Sequence, residues 1–311
     1  MDIPLIRPPS LHPGDTIGIV APASPIEQRD SLERGIATLE RMGFHVRFDE
    51  RVFESLRYLA GEDTARAEEL MRYFEDPAVH AIVGLRGGYG CSRLIPLLNE
   101  NRLRPHAKLF MGFSDLTTLH LFFFRRFGWI TLHGPMAASP TLGIIGAEQE
   151  KHLFSLWTDP GYMPAFSFPQ LEAWVPGVAE GILIGGCLSV IVTSLGTRYE
   201  ISTEGKILFL EDSGEPPYRI DRMLAHLHLA GKLEGIAGLL MGSFHECDPT
   251  QGDYTARDTL RDILEKLNVP VLASFPAGHG PDNWAIPLGV KVRIDANARS
   301  VQFLEPAVRG R

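Results

Sequence analysis

LFMGFSDLTTLHLFFFRRFG, residues 109–128, decides how the chain is built. LFMGF is a short apolar run of strand type, and DLTTLHLFFFRRFG continues at once with the length and the closing glycine of a helix. Gly112, Ser114 and Asp115 interrupt the apolar run at the junction. A hydroxyl at the end of a buried strand, just before a helix, is exposed at the sheet's top edge with the helix N-terminus behind it, as in a nucleophile elbow. The G-x-S-x-G form is excluded, because position 116 is leucine. A serine here can equally be an N-cap, with Asp115 favouring the helix dipole from the first turn. The segment alone leaves both readings open.

The same alternation extends outward. TIGIVAPAS (16–24), HVRFDE (45–50) and AIVGL (81–85) have strand character. SLERGIATLERMG (31–43), with Leu32, Ile36, Leu39 and Met42 at helical spacing, DTARAEELMRYFED (63–76) and SRLIPLLNE (92–100) have helix character. Such alternation predicts βαβ units and a doubly wound parallel sheet, an α/β fold. The Pro-, Gly- and aromatic-rich stretch that follows is expected to connect two domains, giving boundaries at 1–140, 141–176 and 177–311. The last part has strand-like ILIGG, KILFLE, IAGLLMG, PVLASF and VKVRID, with helices near 218–231 and 256–267.

Composition narrows the function. A chain of 311 residues, 44% hydrophobic, can form two cores, and a net charge of -8 argues against a generic nucleic-acid or acidic-membrane binder. The three cysteines are scattered, without a CxxC pair, which argues against a disulfide framework or a four-thiolate metal site. MDIPLIRPPSLHPGD at the start has neither a basic region nor a sustained apolar one, and GILIGGCLSVIVTSLG (181–196) fits a buried strand, turn and helix better than a membrane span. A soluble cytoplasmic protein is expected. No metal is expected at His226 and His228, because residues two apart on a helix do not share a face. HECD (245–248) has ligand types without a partner motif, and Phe122–Phe124 is expected to be packing.

Two other turns carry chemistry. In LRGGYGCSRL (85–94), Gly87, Gly88 and Gly90 lie between a strand and a helix, where backbone N–H groups can face an anion or form a plain tight turn. Neither P-loop nor dinucleotide spacing is present, and no cofactor is expected. LFLEDSGEPPYRIDRML and FPAGHGPDN supply the third feature. Glu211 ends an apolar strand, where a carboxylate needs a partner, and His279 sits between glycines in a loop. A nucleophilic serine needs a base, and the base a carboxylate that fixes its tautomer. Spacing alone does not bring Ser114, Glu211 and His279 together, and Asp212 and Glu215 are competing acids.

RGGYG, GFSDLT, HGP (133–135), LFLED with PPYRIDRML, and PAGHG, in this order, resemble the LD-carboxypeptidase family of serine peptidases over nearly the whole chain. The resemblance implies a flavodoxin-like N-terminal domain and a smaller C-terminal α/β domain with a barrel-like sheet. It implies Ser114 as nucleophile, Glu211 as orienting carboxylate and His279 as base, with backbone N–H groups of Gly88 and Asp115 as oxyanion hole. The implied reaction is removal of terminal D-alanine from the murein tetrapeptide, by a cytosolic and commonly dimeric enzyme of murein recycling, with no cofactor. Arg86 is the first candidate for holding the substrate carboxylate, followed by Arg219 and Arg222. Two alternatives stand beside this reading: a microcin-resistance-type hydrolase acting on a peptide–nucleotide antibiotic, and a non-catalytic two-domain binding protein.

Overall fold

The structure is a computed structural model describing residues 4–311; residues 1–3, the start of the stretch inspected for a secretory signal, lie outside the described residues. The chain divides into two compact units. One holds the residues up to Tyr162 with Trp284–Pro287 and Pro306–Arg311, and the other holds Met163–Asn283 and Leu288–Glu305.

In the first unit the order is β1 (Thr16–Val20), α1 (Arg29–Arg41), β2 (His45–Arg47), α2 (Asp63–Glu75), β3 (Ala81–Gly84), α3 (Cys91–Leu94), α4 (Glu100–Leu103), β4 (Leu109–Gly112), α5 (Thr117–Phe127), β5 (Thr131–His133), α6 (Pro140–Gly143) and α7 (Ala147–Thr158). The strands lie in the order β2-β1-β3-β4-β5, all parallel, with Ile286–Leu288 added beyond β5. The alternation predicts such a doubly wound parallel sheet, and its strand order is the flavodoxin one that the family resemblance implies, with the ligand crevice beyond the strands' carboxyl ends. β3, β4 and β5 are buried at every residue, because helices cover both faces and no alternation survives.

Residues 92–100 do not form a single helix. Pro96 has no N–H to continue the ladder, α3 passes into a 3-10 turn at Ile95–Leu97, and Asn99 starts α4 by accepting the amides of Asn101 and Arg102. α5 ends as its sequence predicts, on Gly128 in the left-handed conformation at φ 68°. Phe122 and Phe123 of α5 are buried, and Phe123 packs on Phe74, Phe110, Phe127 and Trp129.

The second unit contains β6 (Ala165–Phe166), β7 (Glu172–Val175), β8 (Val178–Cys187), α8 (Leu188–Thr193), β9 (Ile207–Ser213), α9 (Pro217–Leu229), β10 (Gly238–His245), α10 (Ala256–Leu264), β11 (Val271–Ala273), β13 (Lys291–Asp295) and β14 (Ser300–Phe303), β12 (Ile286–Leu288) being the strand that joins the sheet of β5. Its sheet runs β6-β14-β13-β8-β9-β10-β11-β7 with β8 to β11 parallel. The barrel likeness is partial. Among the described residues hydrogen bonds do not close β6 onto β7, but Phe166 of β6 packs edge-on against Phe275, beyond β11 near the sheet's other end, with ring centroids 5.3 Å apart. Residues 181–196 form the end of β8 and then α8, and among the described residues no helix is long and apolar enough to cross a membrane.

Candidate active site

In the first unit the candidate nucleophile stands where β4 gives way to helix. Gly84 and Gly112, on neighbouring strands, have no side chains where the side chain of Leu116 packs; a Cβ at either would collide with it. This explains the glycine at the junction: it lets the first turn of the helix press against the sheet. Ser114 pays for that tight turn with φ 61°, a left-handed conformation worth about 1–3 kcal/mol of strain in a non-glycine residue. Ser114 is the first residue of a 3-10 turn, with no side-chain cap bond at that terminus, so the plain N-cap role is not the one it plays.

The glycine loop comes up beside it. A Cβ on Gly87 would lie 2.7 Å from both Cβ and Oγ of Ser114, and 3.5 Å from the amide nitrogen of Asp115. Gly88 has φ 102°, and a Cβ there would strike Ser24. Ser24 anchors this loop: its amide donates to Gly87 O at 3.2 Å, and its Oγ accepts the Tyr89 amide at 3.1 Å. The amide of Asp115 belongs to a first helical turn, whose N–H groups have no intrahelical acceptor. The carboxylate of Asp115 is buried and accepts the amide of Cys91 at 2.8 Å.

In the second unit Glu211 and His279 meet. Oε2 of Glu211 lies 2.7 Å from Nδ1 of His279; the glutamate side chain is 0% exposed and the imidazole 22%. Strand register makes this possible. β10 pairs with β9 through Met241–Leu210 and then Phe244–Asp212, so Gly242 and Ser243 bulge opposite Glu211. Bulges re-aim side chains beside sites, and here the bulge admits the histidine loop. Ser243 Oγ accepts the Gly280 amide at 2.9 Å and donates to Ala277 O at 3.2 Å, straddling His279. Asn283 Oδ1 accepts the Gly278 amide at 3.1 Å, and Gly278, at φ 108°, leaves room for the Glu211 carboxylate.

Burial works against the imidazolium of His279, but the adjacent Glu211 charge, its hydrogen bond and the charge of Asp212 outweigh it and hold the His279 pKa above its ordinary value. Asp212 points away from His279. It accepts the amides of Ser189 and Ser213, and burial raises its pKa.

The arginines are occupied. Arg86 pairs with the exposed Glu27 at 2.8 Å and donates to Pro25 O. Arg219 lies 3.5 Å from Glu215, and both Arg219 and Arg222 lie over the Tyr218 ring. His226 and His228 are exposed on α9. Ser24, Ser243 and Asn283 were invisible to sequence reasoning, since a serine or asparagine that braces a loop is indistinguishable from one in any polar turn.

Residues 17–134 match the LD-carboxypeptidase N-terminal domain and residues 180–294 the LD-carboxypeptidase C-terminal domain. The chain is 35% identical over 305 residues to a probable murein peptide carboxypeptidase of Bacillus subtilis, covering 97% of this chain and 95% of that protein. It is 33% identical over 288 residues to the murein tetrapeptide carboxypeptidase of Pseudomonas aeruginosa, covering 90% and 93%. The crystal structure of muramoyltetrapeptide carboxypeptidase from Oxalobacter formigenes superposes with a TM-score of 0.80 at 29% identity, over 93% of this chain and 97% of that one. With both domain models matched in order and two relatives aligned over nearly their whole length, the chain belongs to the LD-carboxypeptidase family and is a serine-type carboxypeptidase.

Proposed function

We propose that this enzyme hydrolyses the bond between the L-centre of the stem peptide's diamino acid and the terminal D-alanine of the murein tetrapeptide. The hydrogen bond between Glu211 and His279 carries the reading. A buried carboxylate on Nδ1 fixes that nitrogen as the donor and leaves Nε2 as the basic one, the arrangement a hydroxyl nucleophile needs. The strained Ser114 at the strand-to-helix junction supports it as the nucleophile.

In this mechanism Ser114 Oγ attacks the carbonyl while His279 takes its proton. The amides of Gly88 and Asp115 receive the developing oxyanion. The tetrahedral intermediate collapses as His279 protonates the amine of D-alanine, which leaves. Water, deprotonated by His279, then attacks the acyl-enzyme and restores Ser114. Arg86, with Arg219 and Arg222 behind it, would hold the free carboxylate of the substrate. A cytoplasmic location and a homodimer accompany this reading, the latter open to light scattering on the purified protein.

The test is release of D-alanine from purified murein tetrapeptide by wild type beside Ser114→Ala. Release that a folded mutant has lost supports the substrate and the nucleophile together. Release surviving the mutation removes the triad. No release by wild type moves the substrate to an acyl linkage such as that of a peptide–nucleotide antibiotic.

A further inference from the structure

The elbow and the glycine loop are separate in sequence, and one side chain ties them. Asp115, 4% exposed, sends its carboxylate to the amide of Cys91, itself fully buried, at 2.8 Å. Its acid thus reaches beyond its own helix, to the N-terminus of α3. Cys91 directly follows Gly90, which has φ 140° and stands at the N-cap of α3 without a side-chain cap, so Asp115 supplies that cap from 24 residues away. The loop is braced from beneath as well. Arg66, fully buried, lies under Gly90, where a Cβ would collide with Nη1; it donates to Pro22 O and pairs with Asp63. Ser24 holds the other end through Gly87 and Tyr89. Asp115 adds a third hold on this loop, and it comes from the residue that follows Ser114.

Resting on the oxyanion reading above, we propose that the Asp115 side chain is a positioning residue that sets the spacing of the two oxyanion donors. One residue then supplies an N–H donor from its backbone and, through its carboxylate, holds in place the loop that carries the other donor, Gly88. What the interaction requires is an acceptor at the Oδ position, so asparagine should replace the aspartate and alanine should not.

The experiment measures the rate at which a fluorophosphonate phosphonylates Ser114 in wild type, Asp115→Asn, Asp115→Ala and Ser114→Ala, with folding followed by near-UV circular dichroism. Ser114 Oγ bonds to phosphorus, fluoride leaves, and the phosphoryl oxygen occupies the oxyanion position, so the readout does not depend on the natural substrate. Labelling should slow about 100-fold in Asp115→Ala, the scale of losing one oxyanion donor. Asp115→Asn should keep the rate within about 3-fold, a difference too small to register as a lost donor. On the tetrapeptide the alanine variant should lose kcat with KM unchanged. If alanine does not fold, Asp115→Glu takes its place, since it keeps the charge and displaces the acceptor by one methylene. Wild-type labelling rates in a folded alanine or glutamate variant overturn the proposal, as does equal loss in asparagine and alanine. A wild type that is not labelled at Ser114 removes the serine-nucleophile reading itself, and this inference with it.

Discussion

Glu211 and Asp212 are consecutive carboxylates on β9 that serve opposite faces of the sheet. Oε2 of Glu211 lies 2.7 Å from His279 Nδ1, and Oδ2 of Asp212 lies 2.7 Å from the Ser189 amide at the start of α8. Strand alternation separates them, and so should mutation. Glu211→Gln keeps the shape but can present its amide to Nδ1 and stabilise the wrong tautomer, so kcat on the tetrapeptide should fall about 1,000- to 10,000-fold, as for an aspartate replaced in other serine triads. Asp212→Asn should leave kcat nearly unchanged and cost about 1–2 kcal/mol of stability through its weakened capping bonds, seen as a lower urea midpoint. A variant of Asp212 that kills turnover while staying folded would reverse the assignment.

The raised pKa of His279 has consequences of opposite sign for activity and stability. As a base it must be neutral, so kcat/KM should rise with pH along a limb centred above the ordinary histidine value of 6.5. The imidazolium–carboxylate pair stabilises the fold where the histidine is charged. That contribution is fully present below the unfolded pKa, near 6.5, and is lost as pH rises through the folded one. Removing the charge by Glu211→Gln should shift the residual activity limb to lower pH. A pH–rate profile of both proteins checks it, and a limb that does not move would separate Glu211 from the titration.

Much of this is legible in the sequence. The repeated strand-then-helix pattern around residues 109–128 gives the parallel sheet because buried strands with helices on both faces must be apolar throughout. Ser114 was legible as a hydroxyl at such a junction, though its choice between cap and elbow needed the backbone angle. The acid was harder. Strand alternation says that Glu211 and Asp212 differ in face, but its phase depends on the two-residue bulge at Gly242–Ser243 in a different strand. The break at Pro96 is readable from the proline, which has no N–H to continue a helix. Contacts such as Asp115 to Cys91 join residues 24 apart, and no local pattern encodes them.

Gly87 is glycine for steric reasons. It is absent from the residues with positive φ, so the backbone would accept alanine, but the added Cβ would stand 2.7 Å from Oγ of Ser114. Gly87→Ala should therefore fold with a small change in Tm and lose about 100-fold in kcat/KM, because displacing a reacting group by about 1 Å costs that much. Gly14→Ala, where φ is 89° and no atom lies within 4 Å of the new Cβ, supplies the contrast: backbone strain lowers Tm and turnover stays intact. Full activity in Gly87→Ala would mean that the loop can retreat from Ser114 at no cost.

Arg86 presents a competition. Its guanidinium is held by Glu27 at 2.8 Å, but the glutamate side chain is 81% exposed, and an ion pair so open to solvent contributes little. A substrate carboxylate could replace Glu27 at little cost and gain a charge-assisted bond of about 1.5–3 kcal/mol. On that arithmetic Arg86→Ala should raise KM for the tetrapeptide about 10- to 100-fold with kcat little changed. Glu27→Ala should lower KM or leave it alone, because it only removes the competitor. Steady-state kinetics on the two variants separates the cases. A KM that rises on losing Glu27 would mean that the salt bridge orders the loop, and that Arg86 serves the structure and not the substrate.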